Sequence, residues 1–288
     1  MLLRCGPHIL DLATPVVMGI VNVTPDSFSD GGRFFSAERA IEHALAMVEA
    51  GAGIVDVGGE STRPGAAAVS ESDEIRRVVP VVAALAARTG VPISVDTSKS
   101  GVIREAVLAG ATMINDVRAL RDEGSLQAAA ASSAAICLMH MQGEPRTMQA
   151  DPKYDDVVAT VRGFLQSRIE ACVGAGISRD RLVIDPGIGF GKLTAHNVAL
   201  LAALPELAAL RLPLMIGVSR KSLFGELLGR PLGQRLAGGV AVATAAVLAG
   251  ANIVRTHDVA ETVDAVRVAG ALQSAGYAAG PIGGGEQR

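Results

Sequence analysis

Short apolar runs recur along the chain, separated by longer amphipathic stretches. Eight stand out: Val16–Val23, Ile54–Val57, Ile93–Val95, Met113–Ile114 leading to Val117, Ile136–Met139, Leu182–Ile184, Leu214–Val218 and Ile253–Val254. Several lack clean apolar–polar alternation, as expected of strands covered on both faces. Helical patterns lie between them, over Glu38–Ala50, Asp73–Arg88, Gly101–Ala109, Ser125–Ser133, Asp155–Ala175, Leu200–Ala209 and a long stretch before Ala249. One phrase recurs at the junctions: Ala50-Gly51-Ala52, Ala109-Gly110-Ala111 and Ala249-Gly250-Ala251, each leading into an apolar run. Glycine takes the left-handed turn that ends a helix, so the phrase predicts helix, cap, strand. Eight strands alternating with helices predict an α/β fold, a single TIM (β/α)8 barrel. A doubly wound sheet usually has fewer strands and a glycine-rich fingerprint after its first one, which this chain lacks.

No linker or composition break divides the chain, so residues 1–277 are read as one barrel domain. The residues before Val16 are expected to form a small plug or hairpin. Residues 278–288, which end Gly-Gly-Gly-Glu-Gln-Arg, are expected to be a disordered tail. The chain has 288 residues, and barrels of about 250 residues form single domains. A formal charge of -3 gives no electrostatic footprint for nucleic acid. The three cysteines, Cys5, Cys137 and Cys172, fit neither a disulfide framework nor a zinc site and read as reduced thiols of a cytoplasmic protein. Arg4 and Asp11 interrupt any N-terminal apolar run, so no signal peptide is expected. The weakly polar stretch Leu236–Val254 contains Thr244 and Asn252 and reads as a soluble helix followed by a strand, so no membrane span is expected.

Most of the apolar runs end in polar residues at their C-terminal edge. In order these are Asn22; Glu60, Thr62 and Arg63; Asp96; Asn115 and Asp116; His140; Asp185; Ser219, Arg220 and Lys221; and Arg255, His257 and Asp258. A barrel gathers its eight strand ends at one mouth, where active sites lie. A single such residue is most often a turn former or helix cap. Arg63, Arg220, Lys221, Arg255 and His257 are poor caps, which favours a site.

Two sets emerge. Asn22, Arg63, Arg255 and His257 come from the first, second and eighth strands, neighbours in a closed ring. They suit a phosphate or pyrophosphate, with Asn22 offering an oxygen to Mg2+. Alternatively, Arg63 and Arg255 pair with carboxylates such as Glu60 and Asp258. Asp96, Asn115, Asp185 and Lys221 can read the edge of a flat heterocycle, the acids accepting ring N–H and the amine donating to a carbonyl. Here the alternative is a structural ion pair, above all Asp185 with Lys221. Met139, Ile188 and Phe190 are candidates to cover the ring faces. Phe28, Phe34, Phe35 and Phe190 fall in loops after strands, where loops rich in Gly and Pro can either close over a substrate or form plain surface turns.

No Walker loop, no His-Glu-x-x-His and no cysteine pair for zinc is present. His43 reads as surface and His140 as structural, while His8 and His196 show no evident partner.

The chain resembles the dihydropteroate synthases. The resemblance is carried by Gly19–Gly32 (Gly-Ile-Val-Asn-Val-Thr-Pro-Asp-Ser-Phe-Ser-Asp-Gly-Gly) and by Asp56-Val-Gly-Gly-Glu-Ser-Thr-Arg-Pro-Gly65. Ser94–Thr97, Ile114–Val117, Leu138–Gly143, Asp185–Lys192, Gly217–Ser222 and Arg255–Val259 extend it over the whole barrel in order. The resemblance implies condensation of 6-hydroxymethyl-7,8-dihydropterin pyrophosphate with p-aminobenzoate in folate synthesis. It implies that Asp96, Asn115, Asp185 and Lys221 hold the pterin, with Arg255 stacked on one face and Met139 and Gly217 in the same pocket. It also implies that Asn22, Thr62, Arg63, Arg255 and His257 bind pyrophosphate, with Mg2+ at Asn22. Phe28, Pro64, Phe190, Ser219 and Lys221 would border the p-aminobenzoate pocket, where sulfonamides compete. A homodimer through barrel helices is implied as well, with the small-residue helix before Ala249 as a candidate face. A pterin-binding methyltransferase-like barrel and an inactive synthase paralogue are the alternatives.

Overall fold

A computed structural model describes residues 1–24, 33–61, 68–145 and 147–277, with the side chains of 33–36 left aside. The N-terminal strands β1 (Leu2–Cys5) and β2 (His8–Asp11) form an antiparallel hairpin. The barrel strands follow: β3 (Val16–Asn22), β4 (Ile54–Gly58), β5 (Ile93–Asp96), β6 (Met113–Asp116), β7 (Ala135–Met139), β8 (Leu182–Asp185), β9 (Met215–Gly217) and β10 (Ile253–Thr256). They pair in parallel in the order β8-β7-β6-β5-β4-β3-β10-β9. A parallel bridge between Ile184 and Leu214 joins β8 to the segment entering β9 and closes the ring. The expected (β/α)8 barrel is therefore the fold.

The repeated Ala-Gly-Ala phrase ends helices as its chemistry demands. Gly51, Gly110 and Gly250 have φ of +101, +111 and +104. The amides of Ala52, Ala111 and Ala251 reach back to the carbonyls of Met47, Ala106 and Ala246 at 2.8–2.9 Å. This is the six-to-one bond of a Schellman cap. It closes α1 (Arg33–Glu49), α3 (Ser100–Leu108) and α9 (Leu236–Leu248) and turns the chain into β4, β6 and β10. At the other helix ends, Ser70 caps α2 (Glu71–Ala86) by accepting from Asp73 N–H at 3.1 Å. Asp156 caps α5 (Val157–Gly174) through the amides of Val158 and Ala159, both at 2.9 Å.

Two differences from the sequence pattern have local causes, and two helices were left out of it. The helix expected over Leu200–Ala209 is two pieces, α6 (Thr194–Ala202) and α7 (Leu204–Ala208), because Pro205 has no N–H to continue the ladder. Its start lies six residues earlier than Leu200, at Thr194, where His196 Nδ1 accepts from Leu193 N–H at 3.2 Å. His196 therefore has partners after all, since its ring also packs edge-on against Tyr154 at 4.9 Å. The short α8 (Leu223–Leu228) and the long α10 (Val259–Ser274) were not among the expected segments, whereas α4 (Ser125–Ala130) was. The stretch from Leu236 is a helix and then a strand, as expected, and among the described residues no helix is long and apolar enough to cross a membrane. The tail from residue 278 lies outside the described residues.

Two hydrophobic layers follow from the alternation of strand side chains. Val17, Val55, Val57, Val95, Ile114, Ile136, Ile184, Ile216 and Val254 point outward into the layer beneath the helices. Met18, Ile54, Met113, Cys137, Val183, Met215 and Ile253 point inward. Leu3, Cys5 and Leu12 from the hairpin region pack on this inner set and plug the lower end of the barrel. The three cysteines are buried and free.

Candidate active site

The same alternation that puts Ile54, Met113, Val183 and Ile253 inside the barrel puts Asp56, Asn115, Asp185 and Arg255 inside it two residues later. Each strand thus changes from apolar to polar over one step toward its C-terminal end. The polar members meet. Arg255 Nε donates to Asp56 Oδ2 at 2.6 Å and its Nη2 donates to Asp96 Oδ2 at 2.8 Å. Asn115 Nδ2 donates to the same Asp56 oxygen at 2.9 Å. Residues 56, 96, 115 and 255, from β4, β5, β6 and β10, form one network across the barrel. Its second Asp56 oxygen is buried without a hydrogen-bond partner.

The alternative reading of Arg255, pairing with nearby carboxylates such as Glu60 and Asp258, holds in kind but with other acids, Asp56 and Asp96. Asp258 instead takes Arg220, at 2.6 Å from its Nη2, and Glu60 takes Lys99. The curl of the sheet brings the inward ends of β10 and β5, three positions apart in the strand order, within hydrogen-bonding reach, a proximity that spacing along the chain does not reveal.

Asp185 is buried at the end of β8, where Oδ1 accepts Gly187 N–H at 2.7 Å. Burial raises its pKa, against the opposing fields of Lys221, Arg255 and Lys192. The alternative of a structural ion pair between Asp185 and Lys221 is not the arrangement found. Lys221 donates to the Ile188 carbonyl and lies over the Phe190 ring, 4.6 Å from its centroid. Burial pushes the Lys221 ammonium down to about 8, with Asp185 opposing that shift. Asp96 is pushed up to about 7, by burial first and by Asp56 among its neighbours, while Arg255 pulls the other way.

Met139 and Phe190 share an apolar wall with Val117, Met141 and Met148. The Ile188 side chain packs in the layer beneath the helices and does not join that wall, which corrects its candidacy as a cover for the ring. Gly217 sits in register with Arg255, and a Cβ there would stand 3.7 Å from the Cβ of Arg255. Ser219 Oγ accepts His257 N–H at 3.2 Å and lies 3.1 Å from its Nδ1, holding His257 at the rim beside β10. Asn22 ends β3 on the inward side of the ring, half-buried. Thr62, Arg63, Pro64 and Phe28 lie outside the described residues.

Other candidates resolve as structural. His140 is buried, and burial together with Lys192 lowers its pKa to about 3, so it is neutral at physiological pH. His43 is exposed. Asp116 accepts the amides of Arg118 at 2.8 Å and Leu120 at 2.7 Å and shapes the turn after β6.

Sequence reasoning about strand ends missed two residues. Asp56 lies inside its apolar run, and the signal was an acid breaking Ile54–Val57. Lys192 lies seven residues past β8 and is only 2% exposed, with no periodicity to mark it.

Among the described residues no group of three or more His, Cys, Asp or Glu could hold a metal ion. Asn22, at the end of β3, offers its amide oxygen. A single oxygen ligand fits Mg2+, which keeps several waters and takes substrate phosphate oxygens.

Residues 18–257 match the family model for pterin binding enzymes. The chain is 55% identical over 266 residues to dihydropteroate synthase of Escherichia coli K12, covering 92% of this chain and 94% of that protein. It is similar to a crystal structure of Yersinia pestis dihydropteroate synthase in a sulfonamide drug complex, with TM-score 0.91, 54% identity and coverage of 95% of this chain and 100% of that one. It is also similar to Xanthomonas albilineans dihydropteroate synthase in complex with 7,8-dihydropteroate, with TM-score 0.87, 51% identity and coverage of 95% and 99%. Matches of this extent and identity, on a barrel whose mouth carries the acids, amide and cations described above, place the chain among the dihydropteroate synthases, transferases within the pterin binding enzyme family.

Proposed function

We propose that this chain joins 6-hydroxymethyl-7,8-dihydropterin pyrophosphate to p-aminobenzoate, giving 7,8-dihydropteroate and pyrophosphate. The observation that carries this reading is the convergence of Asp96, Asn115, Asp185, Lys221 and Arg255 on one mouth. With Nδ2 committed to Asp56, Asn115 keeps its amide oxygen free to accept from a ring N–H. Asp185 and Asp96 accept from further N–H groups, and Lys221 donates to the ring carbonyl. Met139 and Phe190 cover one face of the ring.

In the reaction a C–O bond to pyrophosphate breaks, a C–N bond to the arylamine forms, and the amine gives up a proton. Arg255, His257 and Arg63 gather charge from the leaving group. Mg2+, held through Asn22 and the substrate phosphates, supplies further charge neutralisation when bound. A neutral arylamine is already nucleophilic, so no strong base is required. The dihydropterin stabilises positive charge on its methylene carbon, which favours a dissociative substitution governed by positioning. Phe190, Ser219 and Lys221, with Phe28 and Pro64, border the second substrate's pocket, where sulfonamides compete.

A homodimer is part of the proposal. The outer side of α9 exposes Leu236, Ala237, Ala241 and Ala245, and Val268 and Leu272 of the adjoining α10 are exposed too.

Incubation of the pure protein with both substrates and Mg2+, followed by mass spectrometry, tests the reading. A dihydropteroate mass supports it. Pterin binding without product points to an inactive paralogue, and methyl transfer to a corrinoid points to a methyltransferase-like barrel.

A further inference from the structure

Lys192 is a cation that the chemistry above does not use. Its ammonium is buried in the turn between β8 and α6, against four acceptors. Nζ lies 2.9 Å from His140 Nδ1, 2.9 Å from the Gly187 carbonyl, 3.0 Å from the Phe190 carbonyl and 3.3 Å from the His140 carbonyl. With Lys192 carrying its proton, His140 Nδ1 is the acceptor and the ring proton sits on Nε2; burial pushes the Lys192 ammonium down to about 7, with Asp185 opposing that shift.

The acceptors matter for what their residues do. Gly187 gives its N–H to Asp185. Ile188 gives its carbonyl to Lys221, and Phe190 gives its ring to the same ammonium. The turn is thus the common support of the acid and the amine that read the pterin edge. Its other ties are neutral: Asn197 Oδ1 accepts Gly189 N–H at 2.7 Å, and Tyr154 Oη donates to the Gly191 carbonyl at 2.8 Å.

Stability alone is a poor reason for a buried ammonium, since well-packed apolar replacements of buried charges are often neutral or stabilising. A centre that can draw three separate carbonyls and an imidazole to one point has a geometric use that an apolar side chain cannot supply. Small displacements of reacting or reading groups cost large factors in rate and affinity.

We propose that Lys192 is a positioning residue for the pterin end of the site, fixing the Gly187–Phe190 turn from which Asp185 and Lys221 are aimed. The inference rests on the pterin reading above.

The test is Lys192→Met, which keeps the buried stem and removes the ammonium, with binding of dihydropterin pyrophosphate followed by calorimetry and steady-state kinetics. The affinity for the pterin substrate falls by about tenfold or more. Loss of folded protein lowers the calorimetric stoichiometry and kcat together and leaves the affinity of the remaining sites unchanged, so a raised Kd at a stoichiometry near one is a result that a merely structural role does not produce. Should Lys192→Met fail to fold, the same question is asked at His140. His140→Leu removes the ring acceptor and weakens pterin binding, and His140→Asn, whose amide oxygen can replace Nδ1, recovers most of the loss. Unchanged pterin affinity in Lys192→Met, or equal effects of the two His140 variants, overturns the positioning role. Failure of the unmodified protein to bind the pterin substrate overturns the functional reading instead.

Discussion

Replacing Arg255 by Met removes the guanidinium that bridges Asp56 and Asp96 in the barrel interior. Asp56 is fully buried and the Asp96 side chain is 9% exposed, against 19% for Arg255, so solvent does little to screen the loss. Breaking a buried pair by deleting one partner costs about 3–5 kcal/mol, because it leaves uncompensated charge. The protein can escape part of that cost by taking up a proton. Asp96 already sits up at about 7, raised by burial and lowered by Arg255, so losing the arginine moves it higher.

The sign follows from linkage. A carboxylate whose folded pKa lies above its unfolded value binds more protons when folded, so its contribution is complete below the unfolded pKa and is lost as pH rises through the folded one. Each extra proton held by the folded variant changes stability by about 1.4 kcal/mol per pH unit. The destabilisation of Arg255→Met is therefore largest near pH 8 and shrinks by about 1.4 kcal/mol at pH 6: a variant Asp96 that stays protonated gains about 2.7 kcal/mol over the two units, and the parent's own Asp96, at about 7, gains about half of that. Urea unfolding of the two proteins at pH 6, 7 and 8, with equal m-values as the check on two-state behaviour, reads this directly. A difference under about 1 kcal/mol at pH 8, or one that does not vary with pH, refutes the electrostatic account of the network.

Lys221→Ala and Asp185→Asn each lower turnover by orders of magnitude while far-UV dichroism stays unchanged; near-normal kinetics in either variant removes the pterin assignment. In the unmodified protein, kcat/KM for the pterin substrate declines above about pH 8 as the burial-depressed Lys221 ammonium loses its proton, and a flat profile to pH 9.5 contradicts that role. Gly187 has φ +68 and a Cβ there would collide with the His140 carbonyl, so Gly187→Ala lowers the melting temperature by several degrees and weakens pterin binding. A melting temperature within a degree of the parent shows that the turn can yield. Pyrophosphate and pterin bind before p-aminobenzoate, and tight binding of p-aminobenzoate to the unliganded protein by calorimetry rules that order out.

The barrel was legible because its signals are local. Ala-Gly-Ala caps, apolar runs and polar strand ends are each written within a few residues, and each appears where the chain places it. Asp96, Asn115, Asp185 and Arg255 could be picked out as candidates for the same reason. Their pairings could not. Arg255 binds Asp56 and Asp96 across the barrel interior, and what brings 255, 56 and 96 together is the curl of the sheet. Asp56 was hidden by lying within a strand instead of past its end. Lys192 was hidden because a buried lysine in a turn leaves no pattern, and its importance depends on which carbonyls surround it. The missing α10 was a different kind of omission, since Val259, Thr262, Val263, Val266 and Ala269 carry a clear helical spacing of buried residues.

The Ile184–Leu214 bridge has a consequence for how the molecule breathes. Every other junction between neighbouring barrel strands is a ladder of three or more residue pairs, whereas β8 meets the β9 side through this one bridge. That seam is where the cylinder opens at least cost, and Asp185 and Lys221 stand on its two banks. A small molecule gripped by both of them stitches the gap shut, so amide hydrogen exchange at Ile184 and Ile216 slows on loading more than exchange at Val57 or Val95 on the far wall.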